Sequence, residues 1–281
     1  MTNDEYHRDT TRISKSGLDK INRSPYHYWE AYLNPAAPER EETKAMFTGS
    51  FIHCAIFERD EFSKRYITVP PTAPKRPSVT QLKAKNPSED TLKAIAWWAE
   101  FNSVHAGKLQ LTTEQYNQSQ RMGDAVHRHP AAGYIVNLPG QHEHTLQFTE
   151  PFTGAPCKMR ADFLPDPIPF IVDLKTTENA SPEGFGRSVG NYRYHVQSAF
   201  YVDGHEYATG EKKDGFLFIA VEKEPPYAVA VYDTTKLVMD IGREKYIENC
   251  QTYVDCLRSG VWPAYSDDIL PLSMPGWFFK Q

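Results

Sequence analysis

Hydrophobic and polar positions divide the chain into a helical first part and a second part in which strands and helices alternate. In the first part apolar residues recur at helical spacing, and the predicted helices cover residues 13–21, 25–32, 48–62, 90–101 and 113–127. Ser14 or Ser16 is suited to cap the first helix, and the Ser24-Pro25 pair is typical of a helix start. After Pro139 the period changes to two, which predicts strands.

The part of the chain after Pro139 predicts an α/β fold. Its predicted strands cover residues 143–149, 158–164, 170–174, 215–221 and 227–232, and its predicted helices cover residues 194–207 and 235–257. Gly184, Gly186 and Gly190 predict a loop before the first of these helices. We therefore expect a mixed central β-sheet of about five strands, flanked by helices, with a helical N-terminal elaboration.

The pattern also predicts the domain organisation. Residues 1–12 lack a period and predict a disordered N-terminus, and residues 13–281 predict a single domain with its core at about 140–260. Residues 64–88 contain five prolines and six lysines or arginines but no acidic residue, which predicts an extended arm of local charge +6. The arm supplies four candidates for contact with nucleic acid, which are Lys75, Arg76, Lys83 and Lys85.

Composition limits the class of protein. The chain has 281 residues, of which 40% are hydrophobic and 24% charged, enough to bury a sizeable core. Mean hydropathy is -0.59, and no apolar run reaches the length of about eighteen residues that a membrane span requires. Residues 1–16 are polar and do not resemble a signal peptide. Four cysteines are too few for a disulfide framework and predict an intracellular protein.

The net charge of -5 bears on the choice of partner. A net negative charge by itself argues against nucleic acid as a partner, because phosphate contacts require lysine and arginine. The basic residues are unevenly distributed, however, with six of them in the arm of residues 64–88. We therefore expect any contact with DNA to involve this arm and a metal-containing cleft, beneath an otherwise acidic surface.

Candidate chemistry lies on two neighbouring predicted strands. Asp162 belongs to one strand and Asp173 lies near the end of the next, with a turn at Asp166-Pro167 between them. Such a hairpin can bring the two carboxylates together, which is costly unless a cation lies between them. Mg²⁺ or Mn²⁺ is suited to such oxygen ligands. Lys175 lies on the same strand face as Asp173 and is suited to orient or deprotonate a water molecule.

An acidic residue two positions before a lysine is by itself a weak signal. The same spacing occurs in Glu42-Thr-Lys44 and Glu211-Lys-Lys213. Asp173 differs because the apolar run 170–172 leads directly into it, so this acid ends a strand that we expect to be buried. Charged groups in such positions are usually paired or functional. A purely structural Asp–Lys pair remains the alternative interpretation.

Five separated motifs occur in one order along the chain, and a sixth segment in the tail agrees with them. They are Ile13-Ser-Lys-Ser-Gly-Leu18 followed by Ser24-Pro25-Tyr-His-Tyr28, Gly49-Ser-Phe-Ile-His53, Gly154 with Arg160-Ala-Asp162, Asp173-Leu-Lys175-Thr176, Gln197-Ser-Ala-Phe-Tyr201, and the tail segment Trp262-Pro-Ala-Tyr265. In these motifs the chain, from Ile13 to Trp277, resembles the PD-(D/E)xK nuclease superfamily. It is most similar to the exodeoxyribonuclease VIII (RecE-type) branch, which is related to RecB-type nuclease domains. The resemblance implies a restriction-endonuclease-like core.

The resemblance implies roles for the residues that match the motifs. Asp162, Asp173 and the backbone carbonyl of Leu174 would bind the metal ion, and His53 would join them from a helix. Lys175 would position or activate the attacking water and stabilise charge in the transition state.

Further residues are implicated around this set. Gln197 and Tyr201 lie on one helical face and would support the lysine and the scissile strand. Glu143 is a possible additional metal ligand from the first strand, and Arg160 a candidate for phosphate contact. Structural alternatives remain open, since His53 could be a core histidine and Gln197 and Tyr201 could simply pack a helix.

The function implied by the resemblance is hydrolysis of phosphodiester bonds with Mg²⁺, for which Mn²⁺ could substitute. The enzyme would degrade one strand from double-stranded DNA ends, 5′ to 3′, and leave a 3′ overhang for a single-strand annealing protein. Such a nuclease would act in recombination, repair or phage DNA processing, as a ring-shaped homo-oligomer in the cytoplasm of a bacterial cell or phage-infected host. No phosphate-binding loop of the ATPase type occurs in the sequence.

Three alternatives remain besides this function. The first is a single-strand or structure-specific nuclease of the CRISPR-adaptation or RecB-helicase-associated type. Some relatives of that kind hold an iron–sulfur cluster through four cysteines, but Cys54 and Cys157 lie beside the candidate site, so no cluster is expected. The second is a catalytically inactive DNA-binding module. The third is an α/β domain in which the Asp–Lys pair is structural.

Overall fold

The computed structural model describes residues 1, 3–38, 43–274 and 276, and for residues 3, 4 and 45 it describes the backbone only. Glu42 of the first acid-x-lysine triplet, Trp277 and residues 278–281 lie outside the described residues. The helices are α1 (Asn3–Arg8), α2 (Lys15–Arg23), α3 (Pro25–Tyr32), α4 (Lys44–Phe57), α5 (Arg59–Arg65), α6 (Val79–Leu82), α7 (Glu89–Val104), α8 (Thr113–Arg128), α9 (Pro130–Val136), α10 (Pro182–Asn191), α11 (Tyr194–Thr209) and α12 (Lys236–Ser259). The strands are β1 (Tyr66–Thr68), β2 (Leu109–Leu111), β3 (Gly140–Thr149), β4 (Pro156–Pro165), β5 (Phe170–Thr177), β6 (Gly215–Glu222) and β7 (Val229–Asp233).

The main sheet has five strands in the order β3-β4-β5-β6-β7. Neighbouring strands are antiparallel except β5 and β6, which are parallel and are joined through α10 and α11. A parallel pair requires such a crossover, whereas the antiparallel pairs are connected by short turns. The predicted mixed sheet of about five strands, flanked by helices, is confirmed. A second, two-stranded sheet joins β1 and β2 in parallel.

Each face of the main sheet is covered by helices. Ile171 of β5 belongs to a core beneath α11 and α12, together with Phe200 and Tyr246. Val172 and Leu174 point to the opposite face, into a core with residues of α4, α8 and α9. Because successive side chains of a strand point to opposite faces, Asp173 and Lys175 lie on the α11 side. The site therefore lies where β5 faces α11.

The N-terminal segment differs from the predicted disordered N-terminus. Residues 3–8 form α1, and Tyr6 is buried. The Lys158 ammonium lies over the Tyr6 ring and donates hydrogen bonds to the carbonyls of Tyr6 and Asp9. Ile13 forms a bridge with Cys157 of β4. These contacts connect positions about 150 residues apart in sequence, so the local pattern of a short polar segment could not predict them.

Two further segments differ from their predictions. The segment with Gly184, Gly186 and Gly190, predicted as a loop, is helical because Ser181 caps α10 and Pro182 occupies its first turn. Residues 64–88, predicted as an extended arm, contain the end of α5, β1 and α6, and part of the arm packs against α7. There the indole Nε1 of Trp98 donates to the Pro74 carbonyl at 3.0 Å. Among the described residues no helix is long and apolar enough to cross a membrane.

Candidate active site

The candidate active site lies at a fork between β4 and β5. These strands are paired only at Phe163 and Val172, so the next opposed residues, Asp162 and Asp173, lie where the two strands separate. The Asp162 carboxylate occupies the gap, where its Oδ2 accepts a hydrogen bond from the backbone N–H of Leu174 at 2.9 Å. The predicted hairpin thus brings both acids to one site, but as an open fork rather than a closed ladder.

A helix on the other side of the fork contributes an imidazole. His53 lies in α4, and its Nδ1 is 3.4 Å from Oδ2 of Asp162. Phe51 and Ile52, which precede it, are fully buried in the core beneath α4. This burial fixes the helix against the sheet and directs His53, which is partly exposed, toward the fork. His53 is therefore at the site and is not a core histidine.

Glu143 of β3 completes a cluster of possible metal ligands. In the register of β3 and β4 it lies opposite Asp162, yet it has a φ of 49° and the ladder is interrupted there. One ligand atom from each of His53, Glu143 and Asp162 lies within 4.8 Å of the others. A non-glycine residue with positive φ is strained, and such residues are concentrated at functional sites. The strained backbone accompanies the approach of the Glu143 carboxylate to the other two groups.

The carboxylates at the fork are electrostatically unfavourable without a cation. Although Glu143 is exposed on one side, its position in the cleft desolvates the carboxylate and, with nearby Asp162, raises its pKa to about 7. Burial, and then the charge of Asp162, raise the pKa of Asp173 to about 6, against the opposing effect of Lys175. A divalent cation would remove the cost of bringing these charges together.

Asp173 is almost fully buried, with 2% of its side chain exposed. Its Oδ1 accepts a hydrogen bond from Gln197 Nε2 at 2.5 Å. Its Oδ2 forms an ion pair with the Lys175 ammonium at 2.6 Å. Because a carboxylate oxygen has more than one acceptor position, Oδ2 can also bind a cation beside the lysine. Together with the cluster of one imidazole and two carboxylates, this donor set fits Mg²⁺ or Mn²⁺.

Lys175 lies between a carboxylate and an aromatic ring. Its Nζ is 2.6 Å from Oδ2 of Asp173 and 4.7 Å from the ring centroid of Tyr194. Burial acts to lower the pKa of Lys175, but the charges of Asp173 and Asp162 outweigh it and the pKa is raised. The side chain is accordingly a protonated donor at neutral pH, which favours holding a water or stabilising charge over accepting a proton.

The two residues on the α11 face differ in what they contact. Gln197 holds Asp173, as described above, and both side chains are buried. Tyr201, one turn further along, is buried against the backbone of Arg160. Desolvation raises its pKa well above the ordinary value, so it stays neutral. Gln197 thus touches a member of the acidic set, and Tyr201 supports the strand that carries Asp162.

The candidates for DNA contact fall into two groups. Arg160 is engaged within the chain, because its guanidinium lies 4.5 Å from the Tyr6 ring centroid and its Nε donates to Thr145 Oγ1 at 2.9 Å. Arg76 is also engaged, with its guanidinium 4.0 Å from the Trp98 ring centroid and Nη2 donating to Gln110 Oε1 at 2.6 Å. The other three arm residues, Lys75, Lys83 and Lys85, are exposed.

Two residues beside the candidate site, Lys15 and Tyr194, were not identified from the sequence. The Lys15 ammonium is 5.7 Å from the Tyr194 ring centroid, pairs with Asp19 at 2.8 Å and donates to the Tyr192 carbonyl at 2.8 Å. Lys15 lies inside the first motif, from Ile13 to Leu18, which was the available signal. Tyr194 begins α11, one turn before Gln197, but nothing in its spacing marks it.

The fork of a mixed sheet, with Asp162 on one strand and Asp173-Leu-Lys175 on the next, defines a nuclease fold of the PD-(D/E)xK type. The chain itself belongs to the family described as "PDDEXK-like domain of unknown function (DUF3799)", and residues 14–270 match that family. This membership confirms the superfamily that the sequence motifs predicted.

The comparison with solved structures includes one likeness that supports the fold. A protein from Eubacterium rectale described as a "Putative exonuclease" is 16% identical, with a TM-score of 0.54 over 99% of this chain and 97% of that chain. A phage-related exonuclease from Haemophilus somnus 129PT is 12% identical, with a TM-score of 0.34 over 67% of this chain and 92% of the other. At these identities the first likeness supports the fold alone. A comparison with curated proteins finds no match.

Proposed function

We propose that this protein is a metal-dependent DNA exonuclease that hydrolyses phosphodiester bonds from double-stranded DNA ends. The observation that carries the proposal is the ligand cluster of His53, Glu143 and Asp162, within 4.8 Å of one another, beside the buried Asp173–Lys175 pair. Carboxylates and an imidazole at an open fork can hold a metal ion for phosphodiester hydrolysis, and a protonated lysine beside them can stabilise negative charge. The description of the Eubacterium rectale protein as an exonuclease agrees with this activity.

His53, Glu143 and Asp162 would hold the metal ion, with Oδ2 of Asp173 and the backbone carbonyl of Leu174 as further ligands. Mg²⁺ suits the carboxylates, and Mn²⁺ also accepts an imidazole among oxygen ligands, so both ions are candidates. When bound, the ion supplies Lewis acidity and a positive charge at the reacting phosphate.

The chain's own residues would divide the remaining work. Lys175, protonated because of Asp173 and Asp162, would donate to the attacking water or to a phosphate oxygen and stabilise the charge that develops there. Gln197 would keep the Asp173 carboxylate oriented through its bond to Oδ1. Tyr201 would hold β4, and therefore Asp162, in position from behind.

The finer features of the proposal come from the family resemblance. They are 5′-to-3′ polarity, a 3′ overhang as product, action in recombination, repair or phage DNA processing, a ring-shaped homo-oligomer, and an annealing protein as partner. The alternative activity is cleavage of single strands or of particular DNA structures.

The decisive experiment compares linear duplexes labelled at the 5′ or the 3′ end, with Mg²⁺, with Mn²⁺ and with EDTA. We expect label release from the linear duplexes only with the metal ion and from one end first. A closed circular duplex should not be degraded. Asp173→Asn should reduce cleavage by at least about 10-fold to 100-fold, because the buried carboxylate loses its charge beside Lys175 and the metal.

Asp166→Asn is the matched control, since Asp166 lies in the exposed turn that joins the same two strands. It should cleave like the wild type. Undiminished cleavage by Asp173→Asn would show that the proposed site is wrong. Preferential cleavage of single strands over duplex ends would favour the alternative activity.

A further inference from the structure

A second cleft adjoins the candidate active site and has no role in the proposed chemistry. Its volume is about 400 Å³, and it lies between the end of β5, α10 and the end of β6. Thr176, the residue after Lys175, lines it, and Tyr194 forms a wall common to both sites because its ring also contacts Lys175. A ligand group in this cleft would therefore be a direct neighbour of a group reacting beside Lys175.

One wall of the cleft presents an aromatic ring to solvent. Tyr192 is 61% exposed although it follows α10 directly, and its ring centroid is 5.6 Å from that of Tyr194 at an angle of 30°. Exposed tyrosines beside a cleft are suited to stack on nucleobases, since every base has a π face. Such stacking does not depend on sequence, which suits a nuclease that degrades DNA of any sequence.

The backbone that carries Tyr192 is anchored from below. The carbonyl of Tyr192 accepts a hydrogen bond from Lys15 at 2.8 Å, and Lys15 is fixed by Asp19 at 2.8 Å. The next residue, Arg193, has a φ of 55° and donates to Asn249 Oδ1 at 2.6 Å through Nη2. The Tyr192 ring is therefore exposed on a backbone segment that hydrogen bonds fix in place, so little conformational entropy is lost when a base stacks on the ring.

The lining of the cleft also contains two cations. Arg187 and Lys223 line the cleft, paired at 2.6 Å and 2.8 Å with Glu183 and Glu178. Both carboxylates are highly exposed, and such surface pairs contribute little to stability. The cations can therefore exchange these partners for a phosphate group, a stronger acceptor of charge-assisted hydrogen bonds.

We propose that this cleft binds one nucleotide of the DNA strand next to the scissile phosphate, with its base on Tyr192 and a backbone phosphate between Arg187 and Lys223. The inference rests on the proposed nuclease function and adds the path of the strand beyond Lys175. The aromatic ring, the two exchangeable cations and the wall shared with Lys175 are independent observations that converge on the same ligand.

The test measures binding and cleavage of an end-labelled duplex by wild type, Tyr192→Ala and Tyr192→Phe. Binding is measured by fluorescence anisotropy with EDTA present, so that no cleavage occurs. Tyr192→Ala should weaken binding by about 5-fold to 150-fold, the range that loss of one base–aromatic stack gives. Tyr192→Phe keeps the ring and should bind like the wild type. Tyr134→Ala is the matched control, because Tyr134 lies on α9, outside the cleft, with an exposure of 62%.

A second arm removes the base from the DNA instead. A single abasic nucleotide is moved through the first few positions from the cleaved end. At one position the abasic nucleotide should weaken binding by the wild type about as much as Tyr192→Ala weakens binding of intact DNA. With the abasic nucleotide at that position, Tyr192→Ala should cause no further loss of affinity. The subsite would be overturned if Tyr192→Ala and Tyr134→Ala lost the same affinity. It would also be overturned if the loss from Tyr192→Ala multiplied the loss from the abasic nucleotide at every position.

A third arm addresses the phosphate. Arg187→Gln should lower the slope of log affinity against log salt by about 0.9, as expected for one lost phosphate contact. Lys236→Gln, which removes an exposed lysine of a similar helical ion pair on α12, should not change the slope. An unchanged slope for Arg187→Gln would contradict the phosphate contact.

The two proposals fail in different ways. If the wild type cleaves linear duplex but the Tyr192 variants behave like the control, the subsite is wrong and the nuclease function stands. If the wild type neither binds nor cleaves DNA, both proposals are overturned.

Discussion

At the scale of single residues, the site is governed by the cost of bringing carboxylates together. Glu143 and Asp162 lie opposite one another on β3 and β4, and Asp173 is buried on the next strand. Burial, and then the negative charge of Asp162, raise the pKa of Glu143 and of Asp173 above the ordinary range. The same arrangement that is unfavourable for the free protein becomes favourable when a divalent cation is bound.

The raised pKa of Glu143 predicts how pH and metal affect stability. Because the folded-state pKa is about 7 and the ordinary value is 4.5, this group stabilises the metal-free protein fully below about pH 4.5. That contribution is lost as the pH rises through about 7. A metal ion needs the ionised carboxylate, so the rise in Tm on adding Mg²⁺ or Mn²⁺ should be larger at about pH 8 than at about pH 6.

Thermal unfolding with metal and with EDTA at both pH values measures this effect. Glu143→Gln should reduce the metal-induced rise in Tm and its pH dependence. Glu224→Gln, which changes an exposed acid in the β6–β7 turn, should leave both as they are in the wild type. A metal response that does not depend on Glu143 would exclude this side chain from the ligand set.

At the scale of secondary-structure elements, the site depends on how α11 is held against the sheet and α12. Asp203 of α11 accepts a bidentate pair of hydrogen bonds from Arg243 at 2.6 and 2.7 Å, and a third from the Tyr246 hydroxyl at 2.7 Å. At Gly242 the two helices are so close that an added Cβ would lie 1.9 Å from the His195 carbonyl oxygen. This contact fixes the start of α11, where Tyr194 and Gln197 are located.

Gly242→Ala should therefore destabilise the protein. The helix propensity of alanine would favour the change by about 1 kcal/mol, but the backbone atom that a Cβ meets cannot move away without separating α11 from α12. We expect a net loss of about 1–3 kcal/mol in the free energy of unfolding, measured by urea denaturation. Gly186→Ala in α10 is the control, because its Cβ meets no atom within 4 Å. A neutral result for Gly242→Ala would mean that the helices do not pack this closely.

At the scale of the whole molecule, the distribution of charge matters more than its sum. The net charge is -5, yet the segment 64–88 contains six basic residues and no acidic one. Arg76 contributes to the packing of that arm on α7 rather than only to its charge, because it stacks on Trp98. Lys75, Lys83 and Lys85 are exposed and remain candidates for long-range attraction of DNA.

Replacing Lys75, Lys83 and Lys85 together by glutamine should weaken DNA binding and reduce its salt dependence. If all three contact duplex phosphates, the slope of log affinity against log salt should fall by about 2.7. Lys236→Gln with Lys245→Gln removes two exposed charges from α12 and serves as the control. An arm variant with the affinity and slope of the wild type would show that the arm does not contact DNA.

The strand pattern and the motif chemistry were accessible from local sequence, and the features that depend on distant contacts were not. The apolar run 170–172 before Asp173 predicted a buried strand that ends in an acid, and β5 has that form. Residues 182–191 were predicted as a loop because of their glycines, but they form a helix that a capping serine and a proline begin. The helix at residues 3–8 is held by the contact between Tyr6 and Lys158, which are far apart in the chain.

The sequence by itself determined the mixed sheet, which follows from its periodicity, and the superfamily, which follows from the resemblance of its motifs to known nucleases. Only the tertiary structure decided that β4 and β5 open into a fork, that Glu143 lies opposite Asp162 with a strained backbone, and that Tyr194 covers Lys175. Each of these features depends on the relative position of separate elements. Such positions are fixed by packing over the whole core, and no local pattern in the sequence encodes them.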